Sequence, residues 1–160
     1  MEIRRVTNSE WEAMRDVRLR ALADSPDAFG TTHAEALERP DEWWRERTTL
    51  SAESDEQAMV LAWDGDRAVG LAGVFAAEDG WLVISMWVDP RVRGRGVGRS
   101  LLDAVVAWAR EHADRPIRLS VTDGNDATRR LYERYGFRDT GVTEPLRSNS
   151  SLLIRELELA

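Results

Sequence analysis

Val88-Asp89-Pro90-Arg91-Val92-Arg93-Gly94-Arg95-Gly96-Val97-Gly98-Arg99-Ser100 is the stretch on which the reading of the chain turns. Before it lies an apolar, β-like run from Trp81 to Val88, which Asp89-Pro90 stops. After it, from Ser100 to His112, Leu101, Leu102, Val105, Trp108 and Ala109 recur as a wide apolar stripe of helical period. Glycines at 94, 96 and 98 between a strand and a helix allow positive φ and close approach of a ligand. Consecutive N–H groups then converge at a helix N-terminus, which carries partial positive charge and suits phosphate oxygens. Arg93, Arg95 and Arg99 add charge-assisted donors fitted to a pyrophosphate or a phosphate monoester.

Two phosphate-binding readings fail on spacing and composition. A dinucleotide fingerprint needs a glycine three residues after its second glycine, where this chain has Arg99 after Gly96 and Leu101 after Gly98. A Walker loop needs lysine, and all 22 basic residues here are arginine.

Working outward, Ala58 to Trp63, Ala68 to Phe75 and Trp81 to Val88 are three β-like runs. Asp64-Gly65 and Asp79-Gly80 separate them, and an antiparallel meander is expected. Ile117 to Val121 is reached through the helix and is therefore expected to lie parallel to the third run by a right-handed crossover. Upstream, Glu2 to Val6 alternates as a short strand. Ser9 and Glu12 stand in capping-box spacing before a helix carrying Trp11, Met14, Val17 and Ala21, which Ser25-Pro26 ends. Pro40-Asp41-Glu42 opens a second helix, and the polar stretch from Thr48 to Gln57 is expected as a loop. Downstream, Asp126 to Tyr135 is helical, Gly136 breaks it, and Phe137 to Val142 and Ser151 to Leu159 read as closing strands.

The length of 160 residues suits one domain spanning 1–160, and no apolar run approaches the ~20 residues of a membrane helix. The start, Met1-Glu2-Ile3-Arg4-Arg5-Val6, lacks a secretion signal, and a cytoplasmic location is expected. With no cysteine, disulfides, thiolate metal sites and thioester-forming nucleophiles are excluded, so any acyl transfer is direct, and no metal is expected. Twenty-nine acids against 22 arginines give −7, which opposes nucleic acid and mildly favours an amine-bearing partner.

The run Arg93-Gly94-Arg95-Gly96-Val97-Gly98 resembles the acetyl-CoA-binding motif of the GNAT superfamily of N-acyltransferases. A second segment, Asn125-Asp126-Ala127-Thr128-Arg129-Arg130-Leu131-Tyr132-Glu133-Arg134-Tyr135-Gly136-Phe137, is similar to the other signature of that family, with Thr128 where alanine is common. The resemblance covers nearly the whole chain and extends to small bacterial members through Leu22 to Gly30 and Trp43-Trp44. It implies an α/β GNAT fold: a mixed, mostly antiparallel sheet of six to seven strands, splayed between the fourth and fifth, with about four flanking helices.

By the same resemblance, acetyl-CoA is the cofactor, coenzyme A the product, and the acceptor a primary amine of a small molecule or peptide; homodimers are common in the family. Main-chain groups near Met86 to Val88 are implied to bond the pantetheine arm, and Gly94, Gly96, Val97, Gly98 and Ser100 with the three arginines to hold its diphosphate. Asn125 is either a pantetheine contact or a helix N-cap, and Tyr132 is the implied proton donor to the departing thiolate. Leu82 occupies the place where many members carry a glutamate base. Glu78, Asp79, Glu35 or a water relay remain for that role, and a non-catalytic acyl-CoA-binding module is the alternative. Phe29, Glu35, Trp43 and Trp87 are the candidates for the acceptor pocket.

Overall fold

The computed structural model describes residues 1–160 and contains one seven-stranded sheet in the order β1-β2-β3-β4-β5-β7-β6. The strands are β1 (Glu2–Arg5), β2 (Gln57–Asp64), β3 (Arg67–Ala77), β4 (Gly80–Val88), β5 (Ile117–Thr122), β6 (Phe137–Pro145) and β7 (Leu153–Leu159). Five α-helices flank them, one more than expected: α1 (Trp11–Asp24), α2 (His33–Leu37), α3 (Asp41–Glu53), α4 (Val97–His112) and α5 (Asp126–Tyr135). The expected meander is β2-β3-β4, and β5 is parallel to β4 with every other pairing antiparallel.

Each face of the sheet carries its own core. On one, Leu101, Leu102, Val105 and Ala109 of α4 and Tyr132 of α5 pack on Val60, Val74, Val83 and Leu119. On the other, Met14, Val17 and Ala21 of α1 and Trp44 of α3 pack on Leu61, Leu71 and Trp87. Because both faces are covered, β2 and β3 are near-continuous apolar runs rather than alternating ones. Burying a side chain such as Leu101 stabilises the fold by roughly 1.5–3 kcal/mol, which explains why α4 tolerates a glycine-rich start.

Several boundaries differ from those the sequence suggests. Ser9 does not cap α1: the N-cap position is Glu10, whose carboxylate instead accepts from Arg4 and from the Thr7 N–H. The stretch expected as a loop from Thr48 is helical through Glu53, since Thr48 and Ser51 turn inward and Arg5 donates to the carbonyls of Ser51, Ser54 and Gln57. A side chain from β1 thus satisfies the orphan carbonyls at the helix end, a partner too distant in sequence to be anticipated. Helix α4 begins three residues earlier than its apolar stripe, at Val97.

The ladder between β4 and β5 is short, pairing only Trp81 with Ile117 and Leu82 with Arg118. Its closed end is pinned by the Trp81 N–H donating to the Pro116 carbonyl at 2.8 Å. A Cβ at Gly80 would stand 2.5 Å from that same oxygen, so only glycine permits the approach. Gly80→Ala is expected to lower the unfolding free energy by about 1–3 kcal/mol, measured by chemical denaturation; an unchanged midpoint would show that the pin is dispensable.

Candidate functional site

Beyond Leu82 the two parallel strands part, and β5 pairs only with β7 from Leu119 onward. Facing strand edges carry N–H and C=O groups that need partners, so a slot between them is a receptor for another extended, amide-bearing chain. The slot is a cavity of about 620 Å³ walled by Val83 to Val88 of β4, Ser120 to Thr122 of β5, the glycine-rich turn, and Asn125, Thr128, Leu131, Tyr132 and Arg134.

A bulge shapes its β4 wall. Leu71 pairs with Trp87 but Gly73 with Ile84, so Ala72 faces both Ser85 and Met86, and Ser85 has φ +59°. Such a bulge re-aims main-chain groups in mid-strand. Past the strand, Asp89 is almost wholly buried and organises the turn by accepting from the Arg91 N–H at 2.9 Å and from the Arg91 and Arg20 guanidinium groups. Hydrogen bonding from Arg91 holds its pKa down at about 2.

Gly94 and Gly96 then adopt φ of +81° and +80°, and Gly96 is the N-cap of α4. From Gly94 to Arg99 no main-chain N–H has an acceptor within the protein. These donors stand at the positive end of a long, well-packed helix. Gly98 sits where a Cβ would press on Leu131 at 3.0 Å and Met86 at 3.4 Å, so the start of α4 lies directly against α5 and β4.

Residues 11–137 match the model of the Acetyltransferase (GNAT) family. The chain belongs to the GNAT family. The mycothiol acetyltransferase of Geodermatophilus obscurus is 30% identical over 138 residues, 82% of this chain and 42% of that protein. The chain therefore spans less than half the length of the curated relatives it matches. Among solved structures, a GNAT acetyltransferase from Streptococcus pneumoniae aligns with a TM-score of 0.85 at 18% identity, covering 98% of this chain and 96% of that one. The yncA protein of Salmonella typhimurium, solved with its cofactor acetyl-CoA, aligns with a TM-score of 0.75 at 20% identity, covering 99% and 92%.

Within this GNAT slot the structure gathers most of the residues singled out from the sequence: Met86, Trp87, Val88, Arg93, Gly94, Gly96, Val97, Gly98, Arg99, Asn125 and Tyr132. Arg95 and Ser100 lie apart, on a shallow neighbouring depression with Met1 and Ile3. Arg93 is not a free phosphate donor. Its Nε donates to the Val88 carbonyl and its Nη2 to Asp24 at 2.8 Å, tying the turn to the end of α1. Arg99 lies over the Tyr135 ring, and Arg134, to which the sequence assigned no role, lines the cavity. Asn125 occupies the N-cap position of α5 but its side chain makes no capping bond, and the residue lines the cavity.

Tyr132 is 4% exposed, and its hydroxyl makes no hydrogen bond within the protein although the residue lines the slot. Burial raises its pKa far above that of free tyrosine. Tyr135 is a packing residue bonded to Asp103 at 2.8 Å, and burial pushes its pKa up to about 12.

The four acceptor-pocket candidates fare unevenly. Trp87 lines the slot, is 6% exposed, and braces the end of α1 through its indole, which donates to Asp24 at 3.0 Å. Phe29 is buried in a loop that Arg147 holds through the carbonyls of Pro26, Phe29 and Gly30. Trp43 lies edge-on to Trp44 between Arg39 and Arg47. Glu35 is exposed and engaged with Thr32 in a reciprocal helix cap, and neither it, Phe29 nor Trp43 lines the slot. Asp79 pairs with Arg118 at 2.7 Å, so it is no free base. No carboxylate or histidine lines the cavity at all.

Both tyrosines being raised, absorbance titration should show almost no tyrosinate at pH 10, where a free phenol is half ionised. Stability supplied by the neutral phenols is complete below that pH and is lost as pH rises through the raised values. At the other extreme, the stability tied to Asp89 is present above its unfolded pKa and should be lost as pH falls from about 4 towards 2. In Asp89→Asn that acid limb should shrink in denaturation curves measured across this range; an unaltered limb would remove Asp89 from the account.

Proposed function

We propose that this chain is an N-acetyltransferase that binds acetyl-CoA in the β4/β5 slot and acetylates a primary amine. The observation that carries the reading is the pair of parted strand edges ending in a turn whose N–H groups from Gly94 to Arg99 are all free. The residues present fit the cofactor: the edge of Met86 to Val88, unpaired with β5 although Arg93 takes the Val88 carbonyl, suits the amides of a pantetheine arm, and the Gly94–Gly98 turn suits a diphosphate. The complexes of relatives with acetyl-CoA point the same way.

Acetyl-CoA supplies an activated thioester. The chain's own residues orient it, polarise it and manage protons. A main-chain N–H freed by the bulge at Ser85-Met86 acts as donor to the carbonyl oxygen, where charge develops. Tyr132, kept protonated by burial, gives its proton to the sulfur as the carbon–sulfur bond breaks and the nitrogen–carbon bond forms. The acceptor must arrive as a neutral amine. The one proton its nitrogen sheds on acylation passes to water, which returns one to Tyr132, because Leu82 holds the strand position where a base would stand and no carboxylate lines the slot.

A non-catalytic acyl-CoA-binding module is favoured by that same lack of a base, and Tyr132 separates the two readings. Tyr132→Phe should leave the acetyl-CoA melting shift nearly intact and lower kcat by about 10²–10⁴-fold in a thiol-release assay. Equal loss of binding and turnover would make Tyr132 a packing residue. Binding without turnover of any amine by the unaltered chain would favour the module. With water taking the amine proton, kcat/KM should rise with pH along the acceptor's own ionisation and move when the acceptor is changed; a limb near neutral pH common to all acceptors would reveal a protein base.

A further inference from the structure

On the α1 side of the bulge stands a cation without a counter-ion. Arg18 donates through Nη1 to the Ser85 hydroxyl, and its guanidinium carbon lies 5.1 Å from the centre of the Phe29 ring. The neighbouring arginines of α1 are all paired, Arg15 with Asp41 and Arg20 with Asp16 and Asp89. Arg18 makes no ion pair, and a guanidinium has five N–H donors of which the protein engages one group. The charged residue that bears on it is another cation, Arg47, stacked on Trp43. Withdrawal from water, reinforced by Arg47, pushes its pKa down to about 10.

Keeping a guanidinium from water with no anion is unfavourable, and breaking or omitting one partner of such a pair is what makes it so. In a chain with 29 acidic residues an internal partner was available at many positions, yet none is placed here. Ser85 lines the slot beside Met86, and Arg18, which does not itself line the cavity, adjoins it through that hydroxyl from the α1 side. The net charge of −7 favours cationic partners at long range, but two cations side by side reverse the sign locally.

We propose that Arg18, seated on Ser85 and Phe29, receives an anionic group of the acceptor, so that the amines acetylated are those bearing an oxyanion close to the nitrogen, with α-amino acids the simplest class. The inference rests on the acetyl-transfer reading and names its acceptor. The planar fork of an arginine suits a carboxylate or a phosphonate in two-point contact. The Ser85 hydroxyl fixes the orientation of that fork, and the Phe29 ring backs it.

The test compares an α-amino acid, its primary amide and the matching aminophosphonate as acceptors, with acetyl-CoA saturating. The amino acid or the phosphonate should exceed the amide in kcat/KM by about tenfold or more, and which of the two leads identifies the anion. Arg18→Gln should erase this ratio, with the loss falling on KM of the anionic acceptor, while its melting shift with coenzyme A persists; Arg18→Lys should restore part of it. An amide as good as the acid, or a preference that survives Arg18→Gln, overturns the proposal while leaving acetyl transfer standing. If no amine turns over, the acetyl-transfer reading fails. Calorimetric titration of the N-acetyl amino acid and its methylamide onto the protein saturated with coenzyme A then decides the role of Arg18: tighter binding of the acid supports it, and equal binding overturns it.

Discussion

β4 and β5 are hydrogen-bonded neighbours at Trp81 and Leu82 and nowhere else, and the wedge that opens beyond them is the constraint around which the molecule is arranged. The Gly80–Pro116 approach closes one end. At the other, Arg93 and Asp24 lash the glycine turn to α1, Asp89 fixes the start of that turn, and the Thr122 hydroxyl on β5 reaches the Asp27 carbonyl at 2.6 Å. The strands are held apart by contacts to helices and turns instead of to each other, which leaves their main-chain groups for a ligand.

Two cores make this possible. Parallel strands that do not pair lose ladder bonds, and the loss is tolerated because α4 and α5 cover one face of the sheet while α1 and α3 cover the other. The turn gains its positive φ values at Gly94 and Gly96, whereas the helix that follows draws its stability from Leu101, Leu102, Val105 and Ala109 further along. Function and stability therefore sit on consecutive stretches of one helix. The buried Tyr132, the proposed proton donor, is also a core residue, packed edge-on to Phe137 with its hydroxyl left unbonded.

Much of this was legible in the chain. Turn glycines, a strand stop at Asp89-Pro90 and a helical stripe are local signals, and local signals gave the meander, the glycine turn before α4 and the parallel crossover to β5. What escaped depends on partners distant in sequence. Nothing in Ile84-Ser85-Met86 marks a bulge, since its cause is the unequal register with β3. Arg93 reads as a phosphate ligand until Asp24, 69 positions away, takes its guanidinium. Thr48 to Glu53 reads as polar loop until Arg5 is seen at its end, and Arg18 is one arginine among 22 until its lack of a carboxylate is visible.

On the proposed function, the free main-chain donors and acceptors of the wedge bind the coenzyme. Amide hydrogen exchange with and without coenzyme A measures this directly. Protection should rise along Met86–Val88 and Gly94–Arg99, with little change in the already paired β2 and β3. Binding that leaves those amides exchanging as before, or that protects another part of the sheet, would contradict it.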